Sequence, residues 1–403
     1  MMRETVILSA ARTPIGRFQG GLSSVPAPRL GSVAVAEAVR RARVPADQVD
    51  EVYMGIILTA GLGQAPARQA AIYAGLPNTV PATTINKMCG SGLKAVMLSA
   101  QAIQAGDAEI IAAGGMENMS AAPHLLDRAR SGYRLGHGTL VDSMIRDGLW
   151  DAFTDQHMGN CAELLAREYH ISRSDQDAFA ERSYTRALAA MDAGEFAREI
   201  APVEVSNGRG PAARVVEDEE PRRFAPDKMR ALRPAFEEGG TVTVGNASSI
   251  SDGAAAVVVA SADAARRLGA RPIARIVGQA VSATAPEWFT IAPAAAIEKL
   301  LAKIGWTKDD VDLYEINEAY AAVVLAVAHK VGIDLDRVNV RGGAVALGHP
   351  VGASGARILT TLLHAMEERD ARRGIAAVCL GGGEAVSLAV ERVPRAGAPA
   401  PSF

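Results

Sequence analysis

Cysteine and aromatic side chains are scarce in this chain of 403 residues: there are three cysteines, and Phe, Trp and Tyr together make up 4%. Cys89, Cys161 and Cys379 are odd in number and never spaced as C-x-x-C, so neither a disulfide framework nor a structural zinc site is indicated, and no metal is expected. A reducing, cytoplasmic setting is the expectation. Positive charge is not in excess, since 42 Lys and Arg face 45 Asp and Glu, a formal net charge of -3. With no aromatic-plus-basic patch, no nucleic-acid partner is expected, and an anionic ligand must be met locally. Long apolar runs are also missing. The richest, from Ala321, is broken by His329 and Lys330 and falls short of the ~20 residues that cross a bilayer, so no membrane span is expected. The amino terminus, MMRETVILSAARTPIG, carries Glu4 ahead of a short apolar run without the basic start of a secretory leader, and reads as a first strand.

What is abundant is small and apolar: 49% hydrophobic residues and 39 glycines describe a tightly packed globular chain. The length exceeds one ordinary domain of ~150 residues, so two or three domains with ample core are expected. Runs rich in β-formers at Thr5 to Ser9, Glu109 to Ala113, Ala256 to Ala260 and Ala376 to Leu380 alternate with Ala-rich stretches of helical period. That alternation predicts α/β architecture with buried sheets.

The chain also echoes itself. VPADQVDEVYMG from Val44 matches WTKDDVDLYEIN from Trp306, and Ser91-Gly92 before an Ala-rich helix matches Ser354-Gly355. Each of those helices leads to an apolar strand ending in glycines and a glutamate, IIAAGGME at Glu117 and AAVCLGGGE at Glu384. Two copies of one α/β unit are inferred, residues 1–119 with 242–271 and residues 272–393. Between them, residues 120–241 are more charged, and RARSGYRLGHG and EDEEPRRFAPDK read as loops of a separate insertion. The Pro/Ala-rich tail, 394–403, reads as frayed.

Three places carry chemistry. Cys89, in INKMCGSGLKAV, falls where a strand gives way to glycines and then a helix; there, unpaired N–H groups and the helix dipole favour thiolate. A buried structural cysteine is the bland alternative. His349, in ALGHPVGASG, occupies the matching turn of the second copy, and pseudo-twofold pairing brings it towards Cys89 as a general base. Cys379 ends a strand before Gly381, Gly382 and Gly383, whose N–H groups suit an oxyanion. Asn317 and Glu318 follow a strand, where α/β sheets commonly bind ligands. Cys161, within the helical MGNCAELLARE, reads as structural.

Taken together, NKMCGSG, GNASSISDGAA, NEAYAA, GGAVALGHPVGASGAR and CLGGGEA resemble the thiolase family, in its order and over nearly the whole chain. The resemblance implies a duplicated, five-layer αβαβα fold with an inserted loop domain. It implies that Cys89 is acylated with His349 as base, and that Cys379 removes the α-proton of a second acyl-CoA. Oxyanions are implied to be held by His349 with a water on Asn317, and by the N–H groups of Cys89 and Gly381. For coenzyme A it points to Ser248, Ala247, His157, Met158 and Phe236, with Ala319, Tyr320 and Phe289 around the acyl group; Arg222 or Arg223 is the cationic candidate for a phosphate. Pro221 stands where potassium-binding relatives have tyrosine. Trp288 and Phe289 suggest a narrow acyl pocket, while Ile56, Asn160 and Glu384 depart from commoner family residues without a functional reading.

The activity implied joins two acetyl-CoA into acetoacetyl-CoA and CoA, or the reverse, with thioesters as substrates and no cofactor, in a homotetramer built from dimers. A broad 3-ketoacyl-CoA thiolase is the alternative, and a CoA- or lipid-binding protein without turnover the non-enzymatic one.

Overall fold

The computed structural model describes residues 3–206 and 212–393; the tail, 394–403, lies outside them. Nine strands build one large sheet: β1 (Thr5–Arg12), β2 (Glu51–Gly55), β3 (Ala82–Ile85), β4 (Ile110–Asn118), β5 (Ser251–Ser261), β6 (Ala274–Ala283), β7 (Leu313–Ile316), β8 (Arg373–Leu380) and β9 (Glu384–Arg392). Their order is β7-β8-β9-β6-β1-β5-β4-β2-β3, with Gly16–Arg17 as a short extra strand on β5. Every residue of β5, SDGAAAVVVAS, is buried, as a strand covered on both faces requires.

The duplication is visible in the pairing. Read outward from the middle, β1, β5, β4 and β2 run antiparallel, antiparallel, parallel, and β6, β9, β8 and β7 repeat the same senses. The two sets join only through Val6 opposite Arg275 and Ile7 opposite Ala274. Helix α1 (Ala27–Ala42) covers the first set from outside, and α5 (Ala292–Ile304), packed against α6 (Ala321–Val331), the second. Between the sets lie α2 (Ser91–Ala105) and α7 (Ser354–Glu368), each touching strands of both copies, which makes the five layers.

The central pair crosses closely because its contact positions carry no side chain. A Cβ on Gly355 would lie 2.5 Å from the backbone nitrogen of Leu93, and one on Gly92 2.9 Å from that of Ala356. Each catalytic candidate precedes one of these helices, Cys89 before α2 and His349 before α7, so the crossing sets their approach.

The insertion is more ordered than its sequence suggests. It holds α3 (Met158–Glu168) and α4 (Arg173–Asp192), the latter begun by a capping box in which Ser172 and Asp175 satisfy each other's backbone N–H groups. EDEEPRRFAPDK, read as a loop, forms a turn at Pro221–Arg223 and a short helix at Pro226–Arg230, because Pro226 is pre-shaped for a first helical turn. RARSGYRLGHG does connect two short antiparallel strands, His124–Leu126 and Leu140–Asp142, without regular structure of its own. No described helix is long and apolar enough to cross a membrane.

Candidate active site

Cys89 sits on a tight turn between β3 and α2. The Ser91 hydroxyl accepts from the Lys87 N–H at 2.8 Å and donates to the Met88 carbonyl at 2.6 Å. Met88 is held at φ +46°, a conformation seldom adopted by a residue with a side chain, so the turn stores strain just before the thiol. The thiol opens into a cavity of about 530 Å³ whose wall also includes His349 and Gly381. The N–H groups of Gly381 and of Cys89 itself are directed at the Cys89 sulfur.

His349 is buried, and its hydrogen bonds fix its tautomer. Its Nδ1 lies 2.5 Å from the Ser354 hydroxyl, which in turn donates to the Pro350 carbonyl at 2.9 Å. With the serine proton committed, Nδ1 carries the hydrogen and Nε2 keeps its lone pair. The amide nitrogen of Asn317 stands 3.3 Å from Nε2, while Asn317 Oδ1 is buried without a partner among the described residues. A buried acceptor of this kind calls for a donor from outside the described residues.

Burial dominates the electrostatics. It pushes the Cys89 thiol up to about 11, against the downward pull of the two N–H groups. It lowers His349 to about 3, helped by the nearby Arg357. The sequence-based expectation of a resting thiolate is thereby corrected: desolvation outweighs the helix end, and the empty site holds a neutral thiol and a neutral imidazole. Cys379, at the end of β8, is 1% exposed and lies behind the cavity wall. Burial first and the charge of Cys89 second raise its pKa, which places the two sulfurs as electrostatic neighbours.

The remaining wall assembles from distant segments. The His157 ring stacks on Phe236 with centroids 4.9 Å apart, and Tyr320 meets Phe236 edge-on at 6.1 Å. His157 Nδ1 accepts from the Gly159 N–H, capping α3, and Asn160 donates to the Phe236 carbonyl at 3.0 Å. That bond gives Asn160 a function the sequence did not reveal. Ala247 bridges to Tyr320, and the Ser248 N–H donates to the Ala319 carbonyl at 3.0 Å, so both serve the same wall. Met158 and Phe289, 7% and 3% exposed, close its apolar end.

Of the two candidate cations, Arg223 lines the cavity and Arg222 does not. Arg222 turns away to Asp192 at 2.7 Å, whereas Arg223 lines the cavity beside Arg17. Sequence reasoning also missed Arg17, Ser249 and Ser354. Ser354 had a readable signal in its place at the start of a helix five residues after His349. Arg17 had none, because only folding brings it to this cavity.

Residues 5–263 match the thiolase N-terminal domain and residues 270–392 the thiolase C-terminal domain. The acetyl-CoA acetyltransferase of Cupriavidus necator is 55% identical over 97% of this chain and 100% of that protein, and acetyl-CoA acetyltransferase 2 of Arabidopsis thaliana 54% over 96% and 97%. Among solved structures, the Bacillus anthracis acetyl-CoA acetyltransferase superposes with a TM-score of 0.95 at 42% identity, covering 97% of this chain and 99% of that one. Acat5 thiolase from Ascaris suum, in complex with coenzyme A, gives 0.92 at 43%, over 97% and 100%. Duplicated fold, paired catalytic turns and full-length kinship agree, and the chain belongs to the thiolase family.

Proposed function

We propose that this enzyme is an acetyl-CoA C-acetyltransferase, condensing two acetyl-CoA to acetoacetyl-CoA and CoA and catalysing the reverse thiolysis. One observation carries the mechanism: a single cavity holds Cys89, a tautomer-locked His349 and the Gly381 N–H, with Cys379 directly behind. Relatives that match along their full length are named for this activity.

In the first half-reaction the Cys89 thiol gives its proton to His349 Nε2 as sulfur attacks the thioester carbonyl. Because both groups rest neutral, transfer accompanies attack. The N–H groups of Cys89 and Gly381 receive the oxyanion, and CoA leaves with the proton of Cys379, which becomes a thiolate while His349 keeps the proton on Nε2. A second acetyl-CoA then binds with its carbonyl oxygen at His349 and the water on Asn317. The Cys379 thiolate takes its α-proton, the carbanion attacks the acyl-cysteine, and the carbon–sulfur bond to Cys89 breaks as the new carbon–carbon bond forms, the departing Cys89 sulfur taking back its proton from His349.

Ser248, His157, Met158 and Phe236 line the pantetheine arm, and Arg223 with Arg17 meets the phosphate end. Phe289 and Met158 limit the acyl pocket. The exposed connection between Leu126 and Leu140, with Leu135 fully exposed, is the proposed contact for a tetramer, to be checked by light scattering.

The test is CoA-dependent cleavage of acetoacetyl-CoA beside 3-oxohexanoyl-CoA and 3-oxodecanoyl-CoA, with Cys89→Ala as control. Activity confined to acetoacetyl-CoA and abolished in the variant supports the acetyltransferase. Comparable rates on longer chains move the assignment to a broad 3-ketoacyl-CoA thiolase, and no thiolysis of any substrate overturns the catalytic claim.

A further inference from the structure

The glutamate that closes the echo lies within β4 in the first copy, Glu117, and at the start of β9 in the second, Glu384, and each bonds to a residue of the opposite copy. Glu117 is fully buried. Its carboxylate accepts from the N–H groups of Ile57 at 3.0 Å and Leu58 at 3.1 Å, and from that of Gly352 in the second copy at 3.0 Å. Gly352 lies three residues after His349, in the turn that leads into α7. A Cβ there would stand 2.7 Å from the Glu117 oxygen, so the turn is seated directly on the carboxylate. Glu384 does the converse. It receives Lys87 Nζ at 2.5 Å, and Lys87 is two residues before Cys89 in the first copy.

We propose that Glu117 and Glu384 are reciprocal positioning residues, each holding the catalytic turn of the opposite copy: Glu117 the His349 turn, Glu384 the Cys89 turn. The proposal rests on the acyl-transfer reading of Cys89 and His349. It assigns a role to Glu384, which stands out as a departure in the sequence, and explains why the echo between the halves ends in the same acid. Neither side chain touches the reacting atoms. Both set the approach of sulfur to imidazole, where a displacement of about 1 Å costs roughly a hundredfold in rate.

The test uses the full-length enzyme and two kinds of variant. Lys87→Glu and Glu384→Lys each place like charges together, and the double variant restores the pair with its sense reversed. Both side chains are about a third exposed, 28% and 31%, so these proteins are expected to fold. Each single change is expected to lower kcat for acetoacetyl-CoA thiolysis about tenfold with KM within about threefold, and the double to recover most of the loss. Glu117→Gln, nearly isosteric, is expected to lower kcat in the same way and to slow alkylation of Cys89 by iodoacetamide.

Wild-type kcat in the three charge variants, or loss in the singles without recovery in the double, overturns the Glu384 half. Wild-type kcat and alkylation in Glu117→Gln overturn the other half. Failure of the acyl-transfer reading is separately visible, as absence of turnover in the unmodified enzyme. If Glu117→Gln does not fold, Gly352→Ala, which pushes the turn off an intact carboxylate, must show the same loss of kcat, and wild-type kcat in it overturns the Glu117 half.

Discussion

At the scale of single residues, the site is poised by what it withholds from water. Cys89 rests as a thiol with its pKa near 11, so the rate of its alkylation by iodoacetamide is expected to keep rising up to about pH 10. A plateau near neutrality would reveal a resting thiolate and contradict this. His349, lowered to about 3, stays neutral through the mildly acidic range, so acid loss of activity above about pH 5 cannot come from its protonation. Its tautomer depends on Ser354. Ser354→Ala is expected to reduce kcat about tenfold and leave KM for acetoacetyl-CoA nearly unchanged, since the serine touches the base and not the substrate. At the mouth, Arg223→Ala is expected to raise KM several-fold while Arg222→Ala, whose partner is Asp192, changes it little. Equal effects of the two would undo the assignment of Arg223.

Among elements, the crossing of α2 and α7 decides most. Gly355→Ala drives a methyl into the Leu93 backbone, which cannot yield as a side-chain tip can, and overpacking of this kind costs about 1–3 kcal/mol. The thermal midpoint is expected to fall and kcat with it, because the helices carry the two catalytic turns. A variant with an unchanged midpoint would show that the crossing can spread freely. These glycines were legible as a repeated Ser-Gly signal, and the strand-to-helix placing of Cys89 and the strand-end placing of Cys379 and Asn317 followed from local pattern. Helix α3 was legible as well, in MGNCAELLARE, but α4 was not, since charged residues on a helix that packs by one face look much like a solvated loop when the face it buries is unknown.

For the whole molecule, buried acids and histidines oppose one another. Burial raises Glu117 to about 7 and Glu315 to about 8, the latter against the downward pull of Arg357, 3.8 Å away. An acid whose folded pKa is raised stabilises fully below its unfolded pKa, and the contribution is lost as pH rises through the folded value. His349, His364 and His157 are lowered, so they cost stability as pH falls below their unfolded range near 6.5. The urea midpoint is therefore expected to peak near pH 6.5, where the histidine loss has ended, and to fall from there to about pH 8, where the acids have ionised in the folded protein. Glu117→Gln should flatten the part of that fall below about pH 7; an equally steep fall there in the variant would exclude Glu117 as a source.

The sequence by itself determined the α/β plan and the family, and nominated Cys89 and His349 as nucleophile and base, because period, repeat and ordered motifs are local properties of the chain. Only the tertiary structure decided the protonation of Cys89, the choice of Arg223 over Arg222, and the company of Arg17 and Ser354. Desolvation and side-chain direction depend on neighbours hundreds of residues away, and no local pattern encodes them.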